Sequence, residues 1–348
     1  MNDISRLREC KDLRALVAVR LGAKFPLRHE LSPQEVGVHA DIFDEAQREL
    51  ALCHEHGISL RLRGERGYPQ LLDHIHDPPP ILYVKGALPE LDESFVGVGI
   101  VGSRKADISG CREAAKVARS LSRFGVCVVS GLALGIDGAA HEGALSGQAT
   151  PPTIAVLANG LSQVYPRRHA ALAERILEHG GALVSIFPPL EPPYPYNFLN
   201  RNRIIAGLSR GVVILQAAKR SGALSTARHA LEQGREVMVV PGDTANARFA
   251  GSLALLRNGA TLVRGAADIL EELGIQSPTD ECDLPFEGAL TPQSVVELLR
   301  SRGRLSFEQI EQHFTHNDSL MQVLFELEAD EVIIRLPGNR FAVFSPVP

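Results

Sequence analysis

The run from Asn197 to Arg235 sets Arg201, Arg203, Arg210, Lys219, Arg220, Arg228 and Arg235 against a single acid, Glu232. The chain as a whole carries a formal net charge of -5, so this local excess of cations marks an anion site rather than a generally basic protein. Gathered at the strand ends of an α/β sheet, such cations bind a polyanion, either a nucleotide or a nucleic acid. Small residues point to the same chemistry. Gly102-Ser103-Arg104, Ser130-Gly131, Asn159-Gly160, Ser221-Gly222 and Pro241-Gly242 each follow or closely trail an apolar run and precede a helix or loop. Glycine admits a phosphate close to the backbone, a helix N-terminus aims amides at it, and serine adds a hydroxyl donor. Each pair alone is a turn. Five of them at strand carboxyl ends, with Arg104 and Arg203 at the same edge, predict one shared phosphate-binding crevice.

Other candidates are weaker as sites. Asp137 and His141 stand four apart in GIDGAAHEG and so share one helix face. Two ligands do not make a metal site, so a capping aspartate, or one that orients a neighbouring arginine, with a hydrogen-bonded histidine is expected there. Phe187, Tyr194, Tyr196 and Phe198 are set among prolines in FPPLEPPYPYNF, in a chain with 5% aromatics and no Trp. Together with Tyr165 they either stack on the bases of a single strand or pin their own loop. Gly97, Gly99 and Gly102 spell GxGxxG, but the first two fall inside a strand. The next strand ends in Ser130-Gly131, where a dinucleotide site needs an acid for the ribose. No cofactor and no metal are expected.

These residues need a sheet to position them. From Val96 to about Leu273, apolar runs at 96–101, 126–129, 153–158, 182–186, 212–215, 237–240 and 260–263 alternate with amphipathic segments such as CREAAKVARSLSRF. That alternation predicts an α/β fold, an extended Rossmann-like, doubly wound and mostly parallel sheet. Residues 1–60 are read as a helical N-terminal region and 61–275 as the anion-binding domain. Within the latter, Pro78, Pro79 and Pro80 make the stretch before the first strand an extended lead-in. Residues 276–290 are a linker, and 291–348 a small winged-helix-like domain of three helices and a hairpin around Pro337-Gly338-Asn339. Thr291 with Pro292 reads as an N-cap and first-turn proline, and Ser306 with Gln309 as a capping box. The third helix, near Asp318 to Ala329, is acidic, which suits stabilisation or protein docking better than reading a DNA groove.

Composition narrows the classes. Hydrophobic content of 45% and charge of 22% are those of a soluble globular protein, with no apolar run of bilayer length. The N-terminal stretch lacks a secretory signal, so a cytoplasmic protein without membrane contact is expected. Five cysteines without a CxxC pair argue against disulfides and zinc, leaving free thiols with Cys127 buried in a strand.

From Tyr68 to about Leu273 the motifs YPQLLDHIHDPPPILYVKG, VGSR, SGLALGIDGAAHEGAL, IAVLANGLSQVYP, RNRIIAGLS, SGALSTARHALEQGREVMVVPG and NGA occur in an order that resembles the DNA-processing protein A (DprA/Smf) family. The resemblance implies an extended Rossmann-like domain that binds single-stranded DNA, forms a homodimer and loads the RecA recombinase during natural transformation. The DNA-contacting set it implies, combined with the strand-end pattern, is Gly102, Ser103, Arg104, Ser130, Gly131, Arg167, Arg168, Arg201, Arg203, Lys219, Ser221 and Gly222. Asp137, His141, Asn159, Gly160, Pro241 and Gly242 are assigned structural or site-orienting roles. The chain departs from the family pattern at Leu134 for Arg, Ser162 for Asp, Ile186 for Glu and Gln216 for Glu. Its N-terminal region lacks a recognisable helix-hairpin-helix pattern.

A non-enzymatic recombination mediator is therefore the leading expectation. Two other classes share the crevice. A phosphoribohydrolase similar to the cytokinin-activating LOG proteins needs PGGxGTxxE, where this chain reads PGDTANARF without a glutamate. A nucleotide-sensing module needs only a small ligand in place of a polymer.

Overall fold

The structure, a computed structural model, describes residues 12, 15–17, 40–88, 95–147, 153–275, 290–302, 305–311, 314, 319–330, 332–336 and 340–344. The chain divides into two compact units, 1–276 and 277–348. All seven apolar runs of the first unit form strands: β3 (Gly97–Gly102), β4 (Cys127–Ser130), β5 (Thr153–Val156), β6 (Ala182–Ser185), β7 (Gly211–Leu215), β8 (Glu236–Val239) and β9 (Thr261–Leu262). They run parallel, and β3 to β7 are buried almost throughout because helices cover both faces. Two further strands, β1 (Ile58–Leu62) and β2 (Ile81–Gly86), extend the edge beyond β6, giving nine strands in the order β1-β2-β6-β5-β4-β3-β7-β8-β9. Strand β2 pairs antiparallel with both β1 and β6.

The expected lead-in is thus strand β2, preceded by a short helix at Gln70–Asp73. From sequence, residues up to 60 stand apart as a helical region. In the structure the helix Ala40–Glu55 buries Phe43, Ala46 and Cys53 in one cluster with Ile58, Tyr83 and Ala155, and β1 begins at Ile58. The alternation of ISLRL, with Ile58, Leu60 and Leu62 buried, is that of a half-buried edge strand.

Strand order reverses at β3, with β4 to β6 on one side and β7 to β9 on the other, and a crevice opens where the two sets of connections diverge. Alternate residues of β7 serve opposite faces. Val212 and Ile214 pack with the helices Pro195–Gly207 and Ala223–Glu232, while Val213 and Leu215 pack with the helices Ile108–Arg123 and Ala266–Glu272. The helix Ile108–Arg123 turns Ala114, Val117, Ala118 and Leu121 inward, and its first turn is capped by the Asp107 carboxylate, which accepts from the Gly110 amide at 2.8 Å.

The second unit runs helix (Pro292–Arg302), short strand β10 (Leu305–Ser306), helix (Phe307–Glu311), helix (Leu320–Ala329) and strands β11 (Ile333–Leu336) and β12 (Arg340–Val343). The sheet order is β10-β12-β11, and the two-residue β10 was not expected from sequence. The capping box is reciprocal: the Ser306 amide donates to Gln309 Oε1 at 2.9 Å and the Gln309 amide to Ser306 Oγ at 3.3 Å. Thr291 Oγ1 accepts from the Ser294 amide at 3.2 Å. The Pro337-Gly338-Asn339 turn and the 276–289 part of the linker lie outside the described residues, as do Cys10 and Cys282, whereas Cys53, Cys111 and Cys127 are free thiols and Cys127 is buried in β4.

Candidate nucleic-acid interface

The crevice, about 500 Å³ in volume, lies at the carboxyl ends of β3, β4 and β7. Its floor holds a buried carboxyl and a buried guanidinium, Asp137 and Arg201, which both bond the backbone of Gly131. The loop after β4 turns through Gly135 at φ +80°, where any Cβ would lie 2.2 Å from the Ser103 carbonyl oxygen, and opens the helix Ile136–Leu145. That turn brings the buried Asp137 carboxylate back to accept from the Gly131 amide at 3.1 Å. Arg201, 3% exposed, reaches the same point from the helix Pro195–Gly207. Its guanidinium donates to the carbonyls of Gly131 (2.7 Å) and Val156, and its Nε to Asn202 Oδ1 at 3.3 Å, while Asn202 donates to the Gly222 carbonyl at 3.2 Å. One side chain thus ties together the ends of β4 and β5 and, through Asn202, the turn after β7. A Cβ on Gly131 would sit 2.5 Å from both the Arg201 guanidinium and the Asp137 carboxylate, so a side chain there would push these two groups from their places. Burial pushes the Asp137 carboxyl up, against the pull of Arg201 and of backbone amides, and draws the Arg201 guanidinium down to about 10.

The rim is cationic and open. The exposed Arg104 lays its guanidinium 4.4 Å above the centre of the Phe198 ring. Phe198 meets Tyr165 edge to face, with centroids 5.9 Å apart. Lys105 and Arg220, both exposed, complete the cationic lining with Ser103, Ser221 and Gly222, the last of these just ahead of the helix Ala223–Glu232. Exposed cations, a helix N-terminus and an aromatic wall above a fixed floor are the groups that hold phosphates and stack bases.

The expected single crevice does not gather all five small-residue pairs. Gly102-Ser103-Arg104 and Ser221-Gly222 line it. Ser130 and Gly131 lie beneath it, and both are engaged: Ser130 Oγ donates to the Ile100 carbonyl at 2.6 Å and the Gly131 amide to Asp137. Gly160 anchors the proline-rich loop, its amide donating to the Glu191 carbonyl at 2.9 Å, while Asn159 Nδ2 closes its own turn on the Gln163 carbonyl at 2.7 Å. Pro241 and Gly242 line a second cleft of about 530 Å³, with Asp107, Glu113, Gln216, Asp243, Phe249 and Arg264.

The cationic run disperses too. Arg203 turns from the crevice to bond the Asp77 carbonyl, with its carboxylate 3.5 Å away. Arg228 faces Glu232 at 3.6 Å, and Arg235 donates to the Leu71 carbonyl at 2.8 Å. Arg201 is the buried tie described above, not an open phosphate ligand. Lys219 is exposed beside the crevice, and Arg167 and Arg168 are exposed on a short 3-10 turn just after Tyr165. Among the described lining residues, Lys105 was missed, Arg220 was read only as part of the cationic run, and Phe198 was left between stacking on a base and pinning its loop. The signal for Phe198 was helical spacing, because Pro195, Phe198, Leu199, Asn202 and Ile205 form one stripe and all line the crevice.

His141 is fully buried, and its Nδ1 lies 2.7 Å from Thr153 Oγ1. That hydroxyl gives its proton to the Val128 carbonyl, so Nδ1 carries the imidazole proton. Of the departures, Leu134 is 37% exposed on the loop after β4, Ser162 Oγ donates to the Pro189 carbonyl at 2.6 Å, and Ile186 packs on the core. Gln216, at φ 47°, is buried and bonds Asp107 twice. Among the described residues no cluster of three or more metal-binding side chains occurs, and no helix is long and apolar enough to cross a membrane.

The chain is similar to known proteins across this unit. It is 50% identical over 206 residues to the protein Smf of Escherichia coli, covering 59% of this chain and 54% of that one. It is 40% identical over 231 residues to the DNA processing protein DprA of Bacillus subtilis, covering 66% and 76%. Thus the match to the Escherichia coli protein spans about half of that protein's length. Among solved structures, DNA processing protein A of Streptococcus pneumoniae aligns with a TM-score of 0.59 and 31% identity, covering 78% of this chain and 98% of that one. The Helicobacter pylori DNA processing protein A, solved for its single-stranded DNA binding mode, aligns with a TM-score of 0.55 and 28% identity, covering 62% and 95%. The DNA recombination-mediator protein A family model matches residues 59–274, the stretch that builds both the sheet and the crevice, and the chain belongs to this family.

Proposed function

We propose that the chain is a single-stranded DNA-binding recombination mediator, which holds the strand in the crevice, works as a homodimer and passes the DNA to a RecA recombinase. The observation that carries this reading is the Arg104–Phe198 stack on the open rim, with Lys105 and Arg220 beside it, above a floor fixed by Arg201 and Asp137. Cations on a rim neutralise phosphates without reading base edges, so binding is broadly independent of sequence. Binding rather than hydrolysis is supported by the lining. Its one carboxylate among the described residues, Asp137, is buried and engaged, which leaves it poorly placed to stabilise a sugar cation or to activate water. Two crevices in a dimer would raise affinity for a strand long enough to reach both. The family membership and the single-strand binding of the Helicobacter pylori relative support the same substrate.

The test is fluorescence anisotropy of labelled single-stranded and duplex oligonucleotides over a salt series, with wild type and Arg104→Ala. Salt-sensitive binding that prefers the single strand and weakens in Arg104→Ala is expected. Failure of the wild type to bind at low salt would remove this reading in favour of a small nucleotide ligand. Stimulated RecA filament formation on the bound strand tests the transfer step, and sedimentation tests the dimer.

A further inference from the structure

Tyr194 and Tyr196 stack on each other, with ring centroids 5.6 Å apart and planes 7° from parallel, yet they are 45% and 62% exposed. Rings in that position do not pin the loop. The backbone around them is held by other bonds: the Tyr194 amide donates to the Pro192 carbonyl at 2.9 Å, the Asn197 amide to the Tyr194 carbonyl at 3.0 Å, and Asn197 Nδ2 to the Pro192 carbonyl at 3.1 Å. Pro195, at the first helical position, stiffens the turn between them. The stack is therefore a preorganised apolar plate facing water, with little ordering left to do on binding.

Its neighbours say what would cover it. Leu199 stands three residues beyond Tyr196 on the same helix, is 54% exposed, and lines the crevice with Pro195 and Phe198. Pro195, between the two tyrosines in the chain, and Leu199, just beyond Tyr196, thus join the plate to the apolar wall of the crevice. A flat aromatic surface beside a row of phosphate-binding cations matches a base whose own phosphate is held at the rim.

We propose that the Tyr194–Tyr196 pair is a base-stacking platform that takes a nucleotide neighbouring the one held at Arg104, extending the bound strand outside the crevice. This rests on the single-stranded DNA reading above. The test uses oligonucleotides carrying 2-aminopurine at successive positions, whose fluorescence falls on stacking, and a matching series with an abasic site. They are titrated with wild type, the double variant Tyr194→Ala/Tyr196→Ala and the double variant Tyr194→Phe/Tyr196→Phe. The alanine pair is expected to lose the quench at one position and to weaken binding of the base-bearing strand by about tenfold. It should bind the strand abasic at that position as the wild type does, and the phenylalanine pair should behave as wild type. Equal affinity of wild type and the alanine pair for the base-bearing strand, with Arg104→Ala still impaired, would overturn the platform alone. No binding by the wild type would remove the underlying reading and the platform together. Because both rings are exposed the thermal midpoint should not move, and Tyr196→Ala alone keeps the test available if the double variant misfolds.

Discussion

The sheet's carboxyl edge carries two clefts of nearly equal volume, about 500 and 530 Å³, that differ in charge. The first gathers Arg104, Lys105, Arg201 and Arg220 around one acid, Asp137. The second gathers Asp107, Glu113 and Asp243 with Arg264, which is itself paired with Asp268 at 2.8 Å, while Arg248 reaches Asp107 at 3.3 Å from outside the lining. Both use strand ends, glycine turns and a phenylalanine wall. Backbone geometry at the edge of an open sheet supplies hollows; the side chains that reach them decide which one takes an anion.

The difference can be broken at its floor. Arg201→Ala removes the cation that acts on the buried Asp137 and leaves the Gly131 and Val156 carbonyls without their donor, each buried group left unsatisfied costing about 1–3 kcal/mol. Urea denaturation should show a loss of that size. A fully stable Arg201→Ala that had merely lost DNA affinity would mean that Arg201 serves the ligand rather than the fold.

On the rim the effect should appear in binding. Arg104→Ala is expected to raise the single-strand Kd by about tenfold to a hundredfold, as loss of a charge-assisted contact does. The decline should be similar for oligonucleotides of different sequence and should lower the salt slope by about 0.7 per lost phosphate contact. In the second cleft, Glu113→Gln should leave the Kd within about twofold, since the charge there lies on the other face of β7. Equal losses from Arg104→Ala and Glu113→Gln would show that the two clefts act as one.

Below the crevice, His141 makes stability depend on pH. Burial holds its imidazole neutral down to about 3, against an ordinary value of 6.5. Between those values the unfolded chain binds the extra proton, so the stability contributed by His141 is complete above 6.5. It falls by about 1.4 kcal/mol per pH unit as the pH drops towards 3. Denaturation from pH 6 to 4 should show that slope in the wild type and a shallower one in His141→Gln. Arg203→Ala should give the smallest binding effect, less than about twofold, because its guanidinium is held at Asp77 away from the crevice. A large binding defect there would return Arg203 to the interface.

Arg201 and Arg203 explain how much of the site was legible. Once RNR is read as helical, residues two apart point in nearly opposite directions, so one crevice cannot take both side chains. The same periodicity marks Phe198 as a lining residue. What no spacing reveals is that Arg201 is swallowed by the carbonyls of Gly131 and Val156, some 70 and 45 residues earlier in the chain.

Local sequence sufficed for the strands from β3 to β9, the α/β class, the capping box at Ser306 and the small residues at Gly102-Ser103 and Ser221-Gly222. These are local consequences of apolar period, cap chemistry and turn preference. Long-range packing settled that β1 and β2 complete the sheet, that Pro241-Gly242 belong to a separate cleft, and which cations face solvent. Those outcomes depend on strand order and on which carbonyls and carboxylates lie within reach of a long side chain, and such contacts join residues far apart in the chain.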